Sequence, residues 1–238
     1  MRRRRGAAAI ILVAAVIAVV GFGISLFFKV GYVEVSGTKA CKAADIIAAS
    51  GIQNGDSLFF TGKSTVVRNI MAEQPYVDTV AVKRKLPNII QIVITESEPV
   101  AFITMNGSCW LIDNKGKLLE KKAERPWLPE IKGFKLLAPI EGTVMAVGSD
   151  DNGKVESLLQ ILDILKMRGL WDDVQELSYN AGISFMYQSR FVVKLGIPAD
   201  IEKKLDALPE VVAVLEPNAE GVIDLTNAED KIYRFIPS

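Results

Sequence analysis

The chain has 238 residues, half of them hydrophobic, with 28 basic and 28 acidic side chains and no histidine. Lacking histidine, it has lost the commonest general base, nucleophile activator and metal ligand together, and its balanced charge provides no basic stripe for nucleic acid. Cys41 and Cys109 form neither a Cys-x-x-Cys pair nor a disulfide framework, although one long-range bridge between them stays open.

Charge is concentrated at the start. Arg2, Arg3, Arg4, Arg5 and Lys29 stand in the first 29 residues without an acid, and the remainder is mildly acidic. Between them, residues 6–28 carry no charge. As a helix rising ~1.5 Å per residue this run spans about 34 Å, enough to cross a ~30 Å hydrocarbon core while satisfying its own backbone. The arginine end is expected in the cytoplasm and the rest outside it. A cleaved signal peptide would have a shorter apolar core, ~7–15 residues, and a small-x-small cleavage site. This run instead ends Gly23-Ile24-Ser25-Leu26-Phe27-Phe28, with no cysteine after it to take a lipid.

Beyond it, Val30–Val35 reads as a strand, Lys42–Ser50 as a helix stopped by Gly51, and Asn54-Gly55-Asp56 as a loop. Lys63–Gln74 reads as a helix with an apolar stripe of Val66, Val67, Ile70 and Met71, ended by Pro75. Val77–Lys85 and Ile89–Glu96 form a hairpin around Leu86-Pro87-Asn88, with Ile90, Ile92 and Ile94 alternating. The order is β-α-α-β-β, two helices on one side of three strands.

Along this order run Val33-Glu34-Val35-Ser36-Gly37, Gly51-Ile52, Gly55-Asp56-Ser57-Leu58-Phe59, Pro75-Tyr76-Val77, Arg84-Lys85-Leu86-Pro87-Asn88 and Glu96-Ser97-Glu98-Pro99-Val100-Ala101. In order, spacing and these short motifs the segment resembles a POTRA domain of the FtsQ/DivIB family of bacterial cell division proteins. Residues 102–238 resemble that family's β domain more loosely. Trp110–Asp113 and Lys117–Glu120 flank Asn114-Lys115-Gly116 as a hairpin within a family-like Asp-x-x-Gly. Asp151–Met167 reads as a helix with Val155, Leu158, Leu159, Leu162 and Leu165 on one face, ended by Gly169. Ile183, Phe185 and Tyr187 alternate on a strand that turns at Gln188-Ser189-Arg190 into Phe191–Leu195. Asp200–Leu215 is helical in parts, with a new turn starting at Pro209, and Gly221–Leu225 and Lys231–Ile236 are final strands. Thr226 stands where the family often has arginine.

The expected fold is therefore α+β: one N-terminal transmembrane helix (residues 6–28, after a basic stub at 1–5), a POTRA-like domain (30–98) and, packed against it, a larger mixed β domain (99–238) with antiparallel strands and flanking helices. Catalytic motifs are weak. Ser36-Gly37-Thr38-Lys39 fits Ser-x-x-Lys, but its serine ends a strand and no partner motif follows. Glu96 and Glu98 share a strand face and read as solvated acids. Asp172-Asp173 reads as a turn and Asn106-Gly107-Ser108 as a loop. No catalytic, cofactor-binding or metal residues are expected.

The last strand presents an edge to which a partner strand could add, or one merely guarded by Lys231 and Arg234. The resemblance implies the former and places partner contacts at Asn227, Lys231, Ile232, Tyr233, Arg234 and Phe235. It further implies a non-enzymatic scaffold at the division septum, in the cytoplasmic membrane. FtsL-type and DivIC/FtsB-type proteins are the implied partners, with septal peptidoglycan synthases beyond them. POTRA modules also serve transport and outer-membrane assembly as peptide-binding chaperones, but those chains carry several modules and a barrel. A membrane-anchored wall hydrolase would need a nucleophile–base pair that the sequence does not offer.

Overall fold

The computed structural model describes residues 12–19, 21–23, 27–227 and 233–238. Residues 12–19 and 21–23 are helical. Among the described residues no helix is long and apolar enough to cross a membrane, and the expected span of 6–28 falls partly outside them, as do Arg2, Arg3, Arg4 and Arg5. The chain divides into two compact units, residues 1–97 and 98–238.

The first unit follows β1 (Tyr32–Ser36), α1 (Ala43–Ser50), α2 (Lys63–Glu73), β2 (Val77–Lys85) and β3 (Ile89–Glu96). Its sheet has the order β1-β3-β2, with β1 parallel and β2 antiparallel to β3. Alternation along β3 turns Ile90, Ile92 and Ile94 onto Ile46, Val66 and Ile70 of the helices. Of the stripe expected on α2, Val66 and Ile70 are buried, Val67 is half-buried and Met71 is exposed. Gly51 takes the left-handed conformation that closes α1. The first strand starts at Tyr32 rather than Val30, because a loop takes the Val30 backbone. Val30 N–H donates to Asp56 O at 2.8 Å, and Gly55 N–H donates to Val30 O at 2.8 Å.

The second unit contains β4 (Ala101–Met105), β5 (Ser108–Ile112), β6 (Leu118–Lys122), β7 (Glu130–Lys132), α3 (Asn152–Met167), β8 (Val174–Ser178), β9 (Ile183–Tyr187), β10 (Phe191–Gly196), α4 (Ile201–Ala213), β11 (Gly221–Asp224) and β12 (Arg234–Pro237). They build one nine-stranded sheet in the order β12-β11-β10-β9-β8-β7-β4-β5-β6. It is mixed. The pairs β4/β7, β7/β8 and β10/β11 are parallel, and α3 and α4 are the crossovers of the last two. Directly opposed residues share a face, so the register lays one apolar row across eight strands: Trp110, Ile103, Ile131, Leu177, Phe185, Val193, Ile223 and Phe235. Leu158, Ile161, Leu162 and Leu165 of α3 and Ile201, Leu205 and Leu208 of α4 join that row in a single core.

One expected break is absent. Pro209 lies inside α4, which runs unbroken from Ile201 to Ala213. Burial of Leu205 and Leu208 before it and Val211 after it holds both halves on the sheet, so packing overrides the lost backbone bond. The Asp-x-x-Gly motif is a local clamp. Buried Asp113 accepts from the Lys115 and Lys117 N–H groups at 2.8 and 2.9 Å through Oδ1, fixing the β5–β6 turn.

Candidate functional site

The two edges of the large sheet are treated differently. At β6 the segment around Gly142 to Met145 covers the start of the strand and the turn before it: Leu118 N–H donates to Thr143 O at 2.8 Å, Gly142 N–H to Leu118 O at 2.7 Å and Met145 N–H to Gly116 O at 2.8 Å, and further on Lys121 N–H donates to Glu141 Oε1 at 2.9 Å. At the other edge, β12 pairs antiparallel with β11, Asp224 opposite Arg234 and Gly221 opposite Pro237. Ser238 N–H donates to Glu220 O at 3.0 Å, so the alternation of an antiparallel ladder aims the Arg234 and Ile236 backbone groups inward and those of Tyr233 and Phe235 outward. Among the described residues no strand lies on that outer side.

The side chains there divide by face. Phe235 ends the apolar row and meets Phe191 edge-on, centroids 6.1 Å apart. Its half-buried ring packs against the core, and its backbone reaches outward. Tyr233 and Arg234 are exposed, as is Ile236, next to half-buried Val222 on the opposite face. Asn227 lies exposed in the turn after β11, while Lys231 and Ile232 fall outside the described residues. The strand expected at Lys231–Ile236 is described as Arg234–Pro237.

Thr226 shapes the exit from β11. Its hydroxyl donates to Asp224 Oδ1 at 2.6 Å and its N–H to the same oxygen at 3.0 Å. The hydroxyl bond is the main reason that the Asp224 carboxyl titrates below its ordinary range. Burial opposes it, and the Thr226 N–H and the charges of Lys194 and Arg234 add to it.

Elsewhere the second unit has a groove of about 600 Å³ lined by residues that include Arg125, Trp127, Lys166, Trp171 and Asp172. The Trp171 indole N–H is spent on Val100 O at 3.2 Å, and no nucleophile–base pair lines the groove. The acids expected to share a strand face do not do so, because β3 ends at Glu96. Glu96 is not simply solvated either: it accepts from the Ala40 and Cys41 N–H groups at 2.8 and 2.9 Å. Cys41 and Cys109 are thiols, not halves of a disulfide. Among the described residues no cluster of acids or cysteines could hold a metal ion.

Two family models cover most of the chain: the FtsQ-type POTRA domain matches residues 28–97, and the C-terminal domain of cell division protein FtsQ/DivIB matches residues 101–226. The chain belongs to the FtsQ/DivIB family. Curated relatives agree in name. Cell division protein FtsQ of Geotalea daltonii is 30% identical, covering 94% of this chain and 85% of its own length. Cell division protein DivIB of Clostridium acetobutylicum is 26% identical over 87% of this chain and 83% of its own. A solved structure, the major extracytoplasmic domain of DivIB from Geobacillus stearothermophilus, covers 53% of this chain and 99% of its own, at 14% identity and a TM-score of 0.33. The FtsQ/DivIB match stops at residue 226, before β12, so the reading of that edge depends on its geometry.

Proposed function

We propose that this FtsQ/DivIB-family chain is a non-enzymatic scaffold of the division machinery, held in the cytoplasmic membrane by residues 6–28 with the arginine stub inside. Its POTRA-like domain (30–98) and β domain (99–238) work outside the membrane at the septum. FtsL-type and DivIC/FtsB-type proteins are its partners, with septal peptidoglycan synthases recruited beyond them. The anchor reading is supported by the uncharged 23-residue run and the arginines before it.

The observation that carries the partner reading is the contrast between a β6 edge covered at its start and a β12 edge with no strand beside it among the described residues. An open edge is a template for another strand even where, as in four-residue β12, it is short and carries Arg234 and Pro237. A partner strand would gain its affinity from the outward backbone groups of Tyr233 and Phe235. Its selection would come from the exposed Tyr233 and Arg234 side chains, with Asn227, Lys231 and Ile232 extending the surface. Phe235 contributes mainly through its backbone, since its half-buried ring is packed against the core.

The test is co-purification of the tagged full-length protein with FtsL- and DivIC-type proteins from detergent extracts. Tyr233→Ala combined with Arg234→Glu is expected to lower capture about tenfold or more, the loss of roughly one strong contact. Lys121→Glu at the β6 edge is expected to leave it unchanged. Full capture by the double variant would remove β12 from the proposal.

A further inference from the structure

The first unit displays aromatic rings where its chain leaves the apolar run. Phe60 is 78% exposed and Phe59 43% exposed, on the loop between α1 and α2, and Phe27 is 87% exposed. A loose loop could show such rings by accident, but this one is fastened on two sides. On one side it is hydrogen-bonded to the segment that follows the apolar run: Leu58 N–H donates to Phe28 O at 2.9 Å, Lys29 bridges Ser57, and the Val30 backbone bonds Gly55 and Asp56. On the other, half-buried Arg84 of β2 reaches across to the loop carbonyls. Its Nε donates to Leu58 O at 2.6 Å, and one terminal nitrogen donates to Phe59 O at 3.1 Å and Thr61 O at 2.9 Å. The guanidinium thereby holds the loop with Phe60 facing solvent.

The partner of those rings is indicated by what the loop is tied to. Phe28, the last residue of the uncharged run, meets the Phe59 ring edge-on with centroids 5.3 Å apart, and its side chain packs against the first unit's core. The aromatic loop is therefore held within a residue or two of the end of the run. Lys29 and Lys63, both exposed, flank it. Aromatic rings beside lysines, whose stems are apolar and whose heads are charged, suit the boundary between lipid headgroups and acyl chains. An apolar patch on a rigid support marks a contact surface.

We propose that the Phe59–Phe60 loop is a lipid-interface contact: Phe60 enters the headgroup boundary beside the span, while Phe59 bridges to Phe28. The POTRA-like module then rests on the bilayer surface at a fixed point instead of swinging on a free linker. The occupant is the lipid itself. This inference stands on the reading of residues 6–28 as membrane-spanning.

The experiment uses full-length protein in vesicles of phosphatidylethanolamine and phosphatidylglycerol, with bromines placed either high or low on the acyl chains. Tryptophan emission is compared between the parent, Phe60→Trp and Val19→Trp. The added signal of Phe60→Trp is expected to shift blue and to be quenched more by shallow than by deep bromines, and Val19→Trp to be quenched as well. Quenching of Val19→Trp without Phe60→Trp would put the loop in water or on a protein, and would overturn the inference while sparing the anchor. Absence of quenching in both would overturn the anchor reading, and this inference with it.

Discussion

Glu96 shows how a side chain in this protein acquires its role from distant backbone. It ends β3, and its carboxylate receives the N–H groups of Ala40 and Cys41 in the chain leading to α1, a segment 55 and 56 residues earlier. Burial opposes the charge, but the N–H groups of Ala40, Cys41 and Lys39 outweigh it, so the Glu96 carboxyl titrates below its ordinary range. A lowered folded-state pKa means stability that is fully present above the unfolded value and lost as pH falls through the folded one. Glu96→Gln is thus expected to cost about 1 kcal/mol near neutrality, allowing for solvent screening. The gap between variant and parent should close as pH drops from about 4.3 through the folded-state value, in thermal melts at a series of pH values. A constant gap across that range would mean that the charge is not what matters. Nothing local in the sequence marks Glu96 for this task, and the same holds for two cations. Arg84 serves carbonyls more than 20 residues away in sequence. Lys204, almost wholly buried, donates to Leu195 O at 2.8 Å and Ile197 O at 3.1 Å across the β10–α4 turn. The turn at Asn114-Lys115-Gly116 was legible as a hairpin, and the partners of Asp113 there are local, two and four residues on.

Elements with a strong internal period were the most legible. After the turn at Leu86-Pro87-Asn88, β3 alternates through Ile90, Ile92 and Ile94, and α3 shows its apolar face as a helical stripe. The pieces that resisted reading depend on neighbours far along the chain. β7 has only three residues, too few for a period, and becomes a strand because β4 and β8 sandwich it with parallel ladders. The two crossovers through α3 and α4, and with them the parallel pairs, follow from strand order rather than from any one segment. The α4 break expected at Pro209 fails for the reason that helix stability comes largely from the packed face. The edge pair β11–β12 has its own local requirement. Gly221 sits at φ 155°, and a Cβ there would stand 2.2 Å from the Ile236 carbonyl oxygen. That oxygen is backbone and cannot swing aside. Gly221→Ala is expected to push β12 off β11, lowering stability by about 2–4 kcal/mol and reducing partner capture along with it. A variant that melts like the parent yet still captures partners would show that the strand tolerates the displacement.

At the scale of the whole molecule, the sequence resolves into two hydrophobic cores with no buried residue in common. One gathers Ile46, Val66, Ile70 and the β3 isoleucines. The other gathers the long row of the nine-stranded sheet with α3 and α4. A domain with its own core can melt as its own cooperative unit, and tryptophan placement allows this to be observed. All three tryptophans, Trp110, Trp127 and Trp171, belong to the second unit, so their emission reports that unit, whereas circular dichroism reports both. Ile92 is fully buried in the central strand of the first sheet, opposite Val35 of β1 and Val82 of β2, and truncation there opens a cavity in the core that the sheet shares with the helices. Ile92→Ala is expected to cost the first unit about 2–5 kcal/mol. The circular dichroism transition of the detergent-solubilised protein should then split or broaden toward low temperature while the tryptophan transition stays in place. If both move together, the two cores unfold as one cooperative body, and a lesion in the POTRA-like module would reach the β12 edge through stability alone.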